Sequence, residues 1–141
     1  MLSICRLARW FYAHRIPLLP WLLYSLNRIA FATVVPPSAH VGKDVILGYK
    51  GLGIVIHRHA WIGDRVNVGP KVTIGGRAGI PGAPRIEDDV LIGSGAQVLG
   101  PICIGQGAQI GANAVVLCDV PSGATAVGVP ARILLRAASP N

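Results

Sequence analysis

The chain has 141 residues, of which 52% are hydrophobic and only 13% charged, with three Trp, three Tyr and two Phe and a net charge of +7. That length supports one core and leaves no room for a second sizeable one. The basic excess favours an anionic partner, but Lys and Arg are scattered and aromatics do not interleave with them beyond Trp61, which argues against nucleic acid. Cys5, Cys103 and Cys118 form no CxxC or metal spacing and read as reduced thiols of a cytoplasmic protein.

Residues 1–33 carry an apolar stripe through Leu2, Leu7, Trp10, Phe11, Ile16, Leu19, Leu22, Leu23 and Leu26, with Arg6, Arg9, His14, Arg15 and Arg28 among them. Pro17 and Pro20 divide the stretch, so the expectation is a short helix, a break and a second helix ending near Asn27. The run Ile16 to Leu26 is too short to cross a bilayer. A basic start, an apolar run and Ala30-Phe31-Ala32 outline a secretory signal, against which the unpaired cysteines speak. Two readings stay open for this segment. One is a cap on the solenoid that follows; the other is a basic amphipathic anchor, through residues 1–28, at the inner face of a membrane.

From residue 34 the pattern changes. A large aliphatic recurs every six residues at Ile86, Ile92, Val98, Ile104, Ile110 and Val116, and a second column follows four residues after each, at Val90, Ala96, Ile102, Ala108, Ala114 and Val120. Upstream the frame runs through Ile56, Ile62, Val68 and Ile74, after a start at Val35, Val41 and Leu47. Neither a strand period of two nor a helix period of 3.6 gives this spacing. A hexad with one bulky and one small inward position predicts a parallel β-helix, a three-sided prism whose core is a stack of aliphatics. Gly93, Gly105 and Gly111, each just past an aliphatic, are expected at corners where the backbone favours glycine.

The frame is disturbed twice. Leu47 to Ile56 spans nine residues, so Gly48–Gly53 must bulge; Ile74 to Ile86 spans twelve, so the Gly- and Pro-rich 75–85 should protrude. Such loops on a stiff solenoid are where binding residues are placed. The hexad is lost at Ser122, the solenoid is expected to end at 134, and 135–141 read as a disordered tail.

His57 follows inward Ile56 at a corner beside the first bulge, and His59 lies two residues on. An imidazole there can take a proton from an attacking hydroxyl, or either can be a plain surface histidine; His40 reads as surface. His57-x-His59 is also too small a ligand set for a catalytic zinc, which needs three protein ligands, so no metal is expected. Asp88-Asp89 reads as a solvated turn.

The hexads, Gly51-Leu-Gly-Ile-Val-Ile-His57, Val72-Thr-Ile-Gly-Gly76 and Gly128-Val-Pro-Ala-Arg-Ile133 together resemble the hexapeptide-repeat acyltransferases, above all the serine acetyltransferase group and its short relatives associated with surface-polysaccharide biosynthesis. The resemblance implies a left-handed β-helix over residues 34–134, a homotrimer, and acetyl-CoA as co-substrate in the groove between neighbouring prisms. It places coenzyme contacts at Ser94 and Ala112, two residues past inward aliphatics, at Gly75 and Gly76 beside the thioester, and at Arg132 near the phosphates. The family's Asp-His-Ala base motif falls on Gly48-Tyr49-Lys50, its second histidine near Ala83 and its acceptor-binding aspartate on Val34, so three acceptor-side groups differ here. The base is therefore expected at His57, with His59 second, acting on a sugar hydroxyl of a surface polysaccharide or its lipid-linked precursor, with L-serine next. The alternative is a non-catalytic trimeric scaffold or a partner of a glycosyltransferase, which needs the ladder but no coenzyme groove.

Overall fold

The computed structural model describes residues 32–134 and, before them, Ser3, Arg6, Leu7, Trp10, Phe11, His14, Leu22, Leu23, Ser25, Leu26, Arg28 and Ile29. The solenoid winds through four coils of a left-handed parallel β-helix. One face stacks β1 (His40–Val41), β4 (Trp61–Ile62), β7 (Arg85–Ile86) and β10 (Cys103–Ile104). A second stacks β2 (Ile46–Leu47), β5 (Asn67–Val68), β8 (Leu91–Ile92), β11 (Gln109–Ile110) and β13 (Thr125–Val127), and β14 (Arg132–Leu134) turns back antiparallel on β13. The third stacks β3 (Val55–Ile56), β6 (Thr73–Gly75), β9 (Gln97–Leu99) and β12 (Val115–Val116).

Both columns of the hexad point inward. Ile56, Ile62, Val68, Ile74, Ile86, Ile92, Val98, Ile104, Ile110 and Val116 are buried, and so is the companion column from Ala60 and Val66 through Val120. A fully buried Ile or Val contributes roughly 1.5–3 kcal/mol, so the stacked ladder is the main source of stability.

The corner glycines have a different cause from the one their position suggests. Gly93 and Gly105 do not have a left-handed φ. A Cβ on Gly93 would lie 2.5 Å from the Ala112 nitrogen, and one on Gly105 2.5 Å from that of Ser122. The next coil's backbone excludes a side chain there. The left-handed residue comes two places later, at Arg65, Lys71, Asp89, Gly95, Gly107 and Asn113, and those with a side chain accept about 1–3 kcal/mol of strain each.

The corner between the first and second faces is tied by carboxylates. Asp64 Oδ1 accepts the Lys43 backbone N–H at 2.7 Å, and Asp88 Oδ1 accepts that of Asp64 at 2.9 Å. Arg65 donates to both oxygens of Asp89 at 2.6 and 2.8 Å, so the solvated Asp88-Asp89 turn is also a cross-coil staple.

The two frame disturbances are found where the spacing puts them. Residues 48–51 form a 3-10 turn with Tyr49 and Lys50 both left-handed, and first-face partners there sit 21 residues apart (His40 opposite Trp61). The twelve-residue interval stretches the next coil to 24 (Trp61 opposite Arg85). At the N-terminus the described residues between Ser3 and Phe11 and between Leu22 and Ile29 are helical, and Arg6 Nη2 donates to the Gly42 carbonyl of the first coil at 3.2 Å. Leu7, Trp10, Leu22, Leu26 and Ile29 remain exposed. No helix among the described residues is long and apolar enough to cross a membrane. The expected tail, 135–141, lies outside the described residues.

Candidate functional site

His57 sits where the third face turns toward the first. Its backbone N–H donates to the Ile74 carbonyl at 2.7 Å, which pins it to the following coil, and its ring is half-buried. The ring lies across Gly76: a Cβ on that glycine would be 3.7 Å from His57 Cδ2 and Nε2 and 3.6 Å from the Gly82 carbonyl. Gly76 thus keeps open a slot between the imidazole and the returning arm of the 76–84 loop.

That loop is anchored, not loose. Ile80 N–H donates to the Arg77 carbonyl at 3.1 Å, and the two residues form an antiparallel bridge. Gly82, at φ +121°, packs so closely on Pro101 that a Cβ would fall 2.7 Å from the Pro101 Cβ. Gly75 is buried on the same strand end, where a Cβ would meet Leu99 Cδ2 at 3.2 Å and Thr73 Cγ2 at 3.3 Å.

The two expected imidazoles are brought together, with ring centroids 5.6 Å apart. The His59 backbone N–H donates to His57 Nδ1 at 3.2 Å, and Arg58 Nε donates to His59 Nε2 at 3.0 Å. A neutral His57 accepting at Nδ1 carries its proton on Nε2, the atom that faces the slot. At rest it is therefore a donor toward the slot. Acting there as a base requires the other tautomer and the loss of the His59 contact.

Ser94 and Ala112 lie on the opposite edge of the third face, one coil apart, joined through the Asn113 N–H to Ser94 carbonyl bond of 2.9 Å; both are exposed. Arg132 opens β14 opposite Val127, whose Cγ1 lies where a Cβ on Gly111 would be 2.7 Å away, so this exposed guanidinium belongs to the same edge. The expected residues therefore form two groups, His57, Gly75 and Gly76 on one edge and Ser94, Ala112 and Arg132 on the other. A three-residue strand, about 10 Å, separates the edges. Only an elongated ligand touches both.

Arg58 and Arg77 were not singled out from the sequence, yet both are exposed at the His57 corner and give it positive charge. Their adjacency to His57 and Gly76 was the available signal. Among the described residues, no group of three His, Cys, Asp or Glu side chains converges.

Residues 83–118 match the family described as bacterial transferase hexapeptide (six repeats). The chain is 40% identical over 133 residues to a serine acetyltransferase of Synechococcus elongatus, covering 93% of this chain and 54% of that one. It is 38% identical over 133 residues to the serine acetyltransferase of Helicobacter pylori strain J99, covering 93% and 77%. The structure superposes on the serine acetyltransferase of Brucella abortus strain S19 in complex with coenzyme A with a TM-score of 0.90 at 37% identity, over 94% of this chain and 54% of that chain. The chain thus spans about half the length of the Synechococcus and Brucella proteins.

Proposed function

This chain belongs to the hexapeptide-repeat acyltransferases, in the serine acetyltransferase-like group, and from that premise we propose that it transfers acetyl from acetyl-CoA to the hydroxyl of a small polar acceptor. The observation that carries the reading is the slot at Gly76, which a Cβ would narrow and which the His57 ring borders. The acetyl thioester enters this slot. The pantetheine arm lies along the third face toward Ser94 and Ala112, and Arg132 meets the phosphates. Three copies complete the groove; exposed Ile46 and Leu91 on the second face and Val55 on the third are apolar surface suited to that contact.

In the reaction the acceptor oxygen attacks the thioester carbonyl carbon, the carbon–sulfur bond breaks, and coenzyme A leaves as its thiol. His57 takes the hydroxyl proton on Nε2 and returns it to the departing sulfur, while a backbone N–H at Gly75 or Gly76 receives the developing oxyanion. The tautomer change gives up one long hydrogen bond, about 0.5–1.5 kcal/mol. General-base assistance is typically about 10²–10⁴-fold, so the change is affordable. His59 fixes the ring through its backbone and is the second candidate for the base.

L-serine is the acceptor that the names of the relatives support. A sugar hydroxyl is the second reading, favoured by charge. The His57 corner, residues 57–60 and 75–84, contains no Asp or Glu to pair with an amino acid's ammonium, whereas Asp64, Glu87, Asp88 and Asp89 lie at the next corner. Free-thiol release from acetyl-CoA is the test, with L-serine in one arm and neutral methyl glycosides in the other. Release in either arm supports acetyl transfer and selects the acceptor; release in neither counts against it.

A further inference from the structure

Outside this site, the first face carries a column that neither other face has. His40, Trp61 and Arg85 are register partners on β1, β4 and β7. The His40 and Trp61 rings stack 5.1 Å apart and nearly parallel, at 3°, and Arg85 Cζ lies 3.9 Å from the Trp61 ring centroid on the neighbouring coil. This cation–π contact holds the guanidinium over the ring without using up its N–H donors. Arg85 forms no ion pair with any described residue.

Beside it opens a cleft of about 260 Å³ lined by Trp61, Arg85, Glu87, Asp88 and Gln106. Its two carboxylates are positioned by the backbone. Glu87 Oε2 accepts the Gln106 N–H at 3.1 Å, and Asp88 Oδ1 accepts that of Asp64 at 2.9 Å. Each carboxylate still has lone pairs to offer, since an ionised carboxylate has about four acceptor sites. The cleft therefore places a cationic donor, two anionic acceptors and a carboxamide around one cavity with no ion pair between Arg85 and the carboxylates; Asp88 Oδ2 lies 3.8 Å from Arg65 Nη2 instead, which leaves Glu87 without an ion pair among the described residues.

That combination selects a ligand class. A simple anion is repelled by Glu87 and Asp88, a simple cation by Arg85, and an apolar group would leave all three without water. A hydroxyl donates and accepts at once, so neighbouring hydroxyls on one ring can donate to a carboxylate and accept from the guanidinium. We propose that this cleft on the first face is a saccharide-binding site that takes one neutral pyranose ring between Arg85 and the Glu87–Asp88 pair. It is distinct from the His57 slot, and binding to it does not depend on acetyl transfer.

The test uses the full chain without coenzyme, titrated with neutral methyl glycosides of glucose, galactose and mannose while the Trp61 indole and Arg85 side-chain NMR signals are followed. Saturable shifts are expected with a dissociation constant on the order of millimolar, as befits a ligand of so few atoms, with the Trp10 indole unmoved. Arg85→Met and Glu87→Gln should each weaken binding about tenfold or more, and His57→Ala should not. Each variant's backbone spectrum checks that it is folded, and Gln106→Ala, outside the stack, provides a further cleft variant. The proposal is overturned if no glycoside moves the signals, if glucuronate or inorganic phosphate moves them more tightly than the neutral glycosides, or if binding survives in the folded Arg85 and Glu87 variants.

Discussion

Residues 86–120 and residues 48–85 use the same hexad under different constraints. In the first stretch the named strands of successive coils pair 18 residues apart, as for Cys103 opposite Arg85 and Val115 opposite Gln97, and the spacing tightens to 16 where Ile104 meets Val120. Across the second the spacing is 21 from Ile46 to Asn67 and 24 from Asn67 to Leu91, with 18 kept between Val55 and Thr73. Corner glycines of both stretches are fixed by contact with the next coil: Gly69, like Gly93, has no room for a Cβ. The irregular stretch also has a glycine, Gly76, whose Cβ would meet its neighbours only at 3.6–3.7 Å, so no neighbour excludes a side chain there. The aliphatic ladder is buried through both stretches, and the candidate base lies where the period is interrupted.

Substitutions sharpen that contrast. The largest effect expected is on turnover: His57→Ala should slow thiol release by about 10²–10⁴-fold while leaving the thermal midpoint nearly unchanged. Gly93→Val should do the reverse in kind. Forcing a side chain against the Ala112 backbone should destabilise by about 3 kcal/mol, read as a fall in the denaturation midpoint, with catalysis intact in whatever remains folded. Gly76→Ala is expected to raise the KM for acetyl-CoA about tenfold or less, at little change in stability. If Gly76→Ala unfolded the chain and Gly93→Val did not, the contrast between these two glycines would be wrong.

The smallest effect belongs to the carboxylate staple. The hydrogen bond from Arg65 holds the Asp89 carboxyl below its ordinary range, with Gln106 adding to it and partial desolvation opposing. A depressed folded-state value means that the stabilisation is present above the unfolded carboxylate pKa and is lost as pH falls through the folded one. Asp89→Asn should therefore lower the midpoint slightly at neutral pH, and the difference from wild type should vanish in acid, below the ordinary carboxylate range. Both side chains are exposed, so salt should shrink it as well.

Much of the prism was legible in the sequence because Ile86, Ile92 and their successors repeat without slip, and because insertions in a strict frame declare their own length. The reason for the corner glycines was not legible. Period alone cannot distinguish a φ requirement from a clash with a coil eighteen residues away. The His57–Gly76 slot was only half visible: both residues stood out, but their meeting depends on the Ile74 carbonyl that pins His57 to the next coil. The His40–Trp61–Arg85 column was missed because the two insertions place its members 21 and 24 residues apart, so they look scattered until the register is corrected.

The most direct measurement is the thermal midpoint of the full chain with and without saturating acetyl-CoA, run beside Gly76→Val. A ligand at a hundred times its dissociation constant stabilises by about 2.7 kcal/mol, so the wild type should gain several degrees. The valine variant, its slot filled, should gain almost none. No gain in the wild type, or an equal gain in both proteins, would contradict the assignment of the slot beside His57 to the thioester.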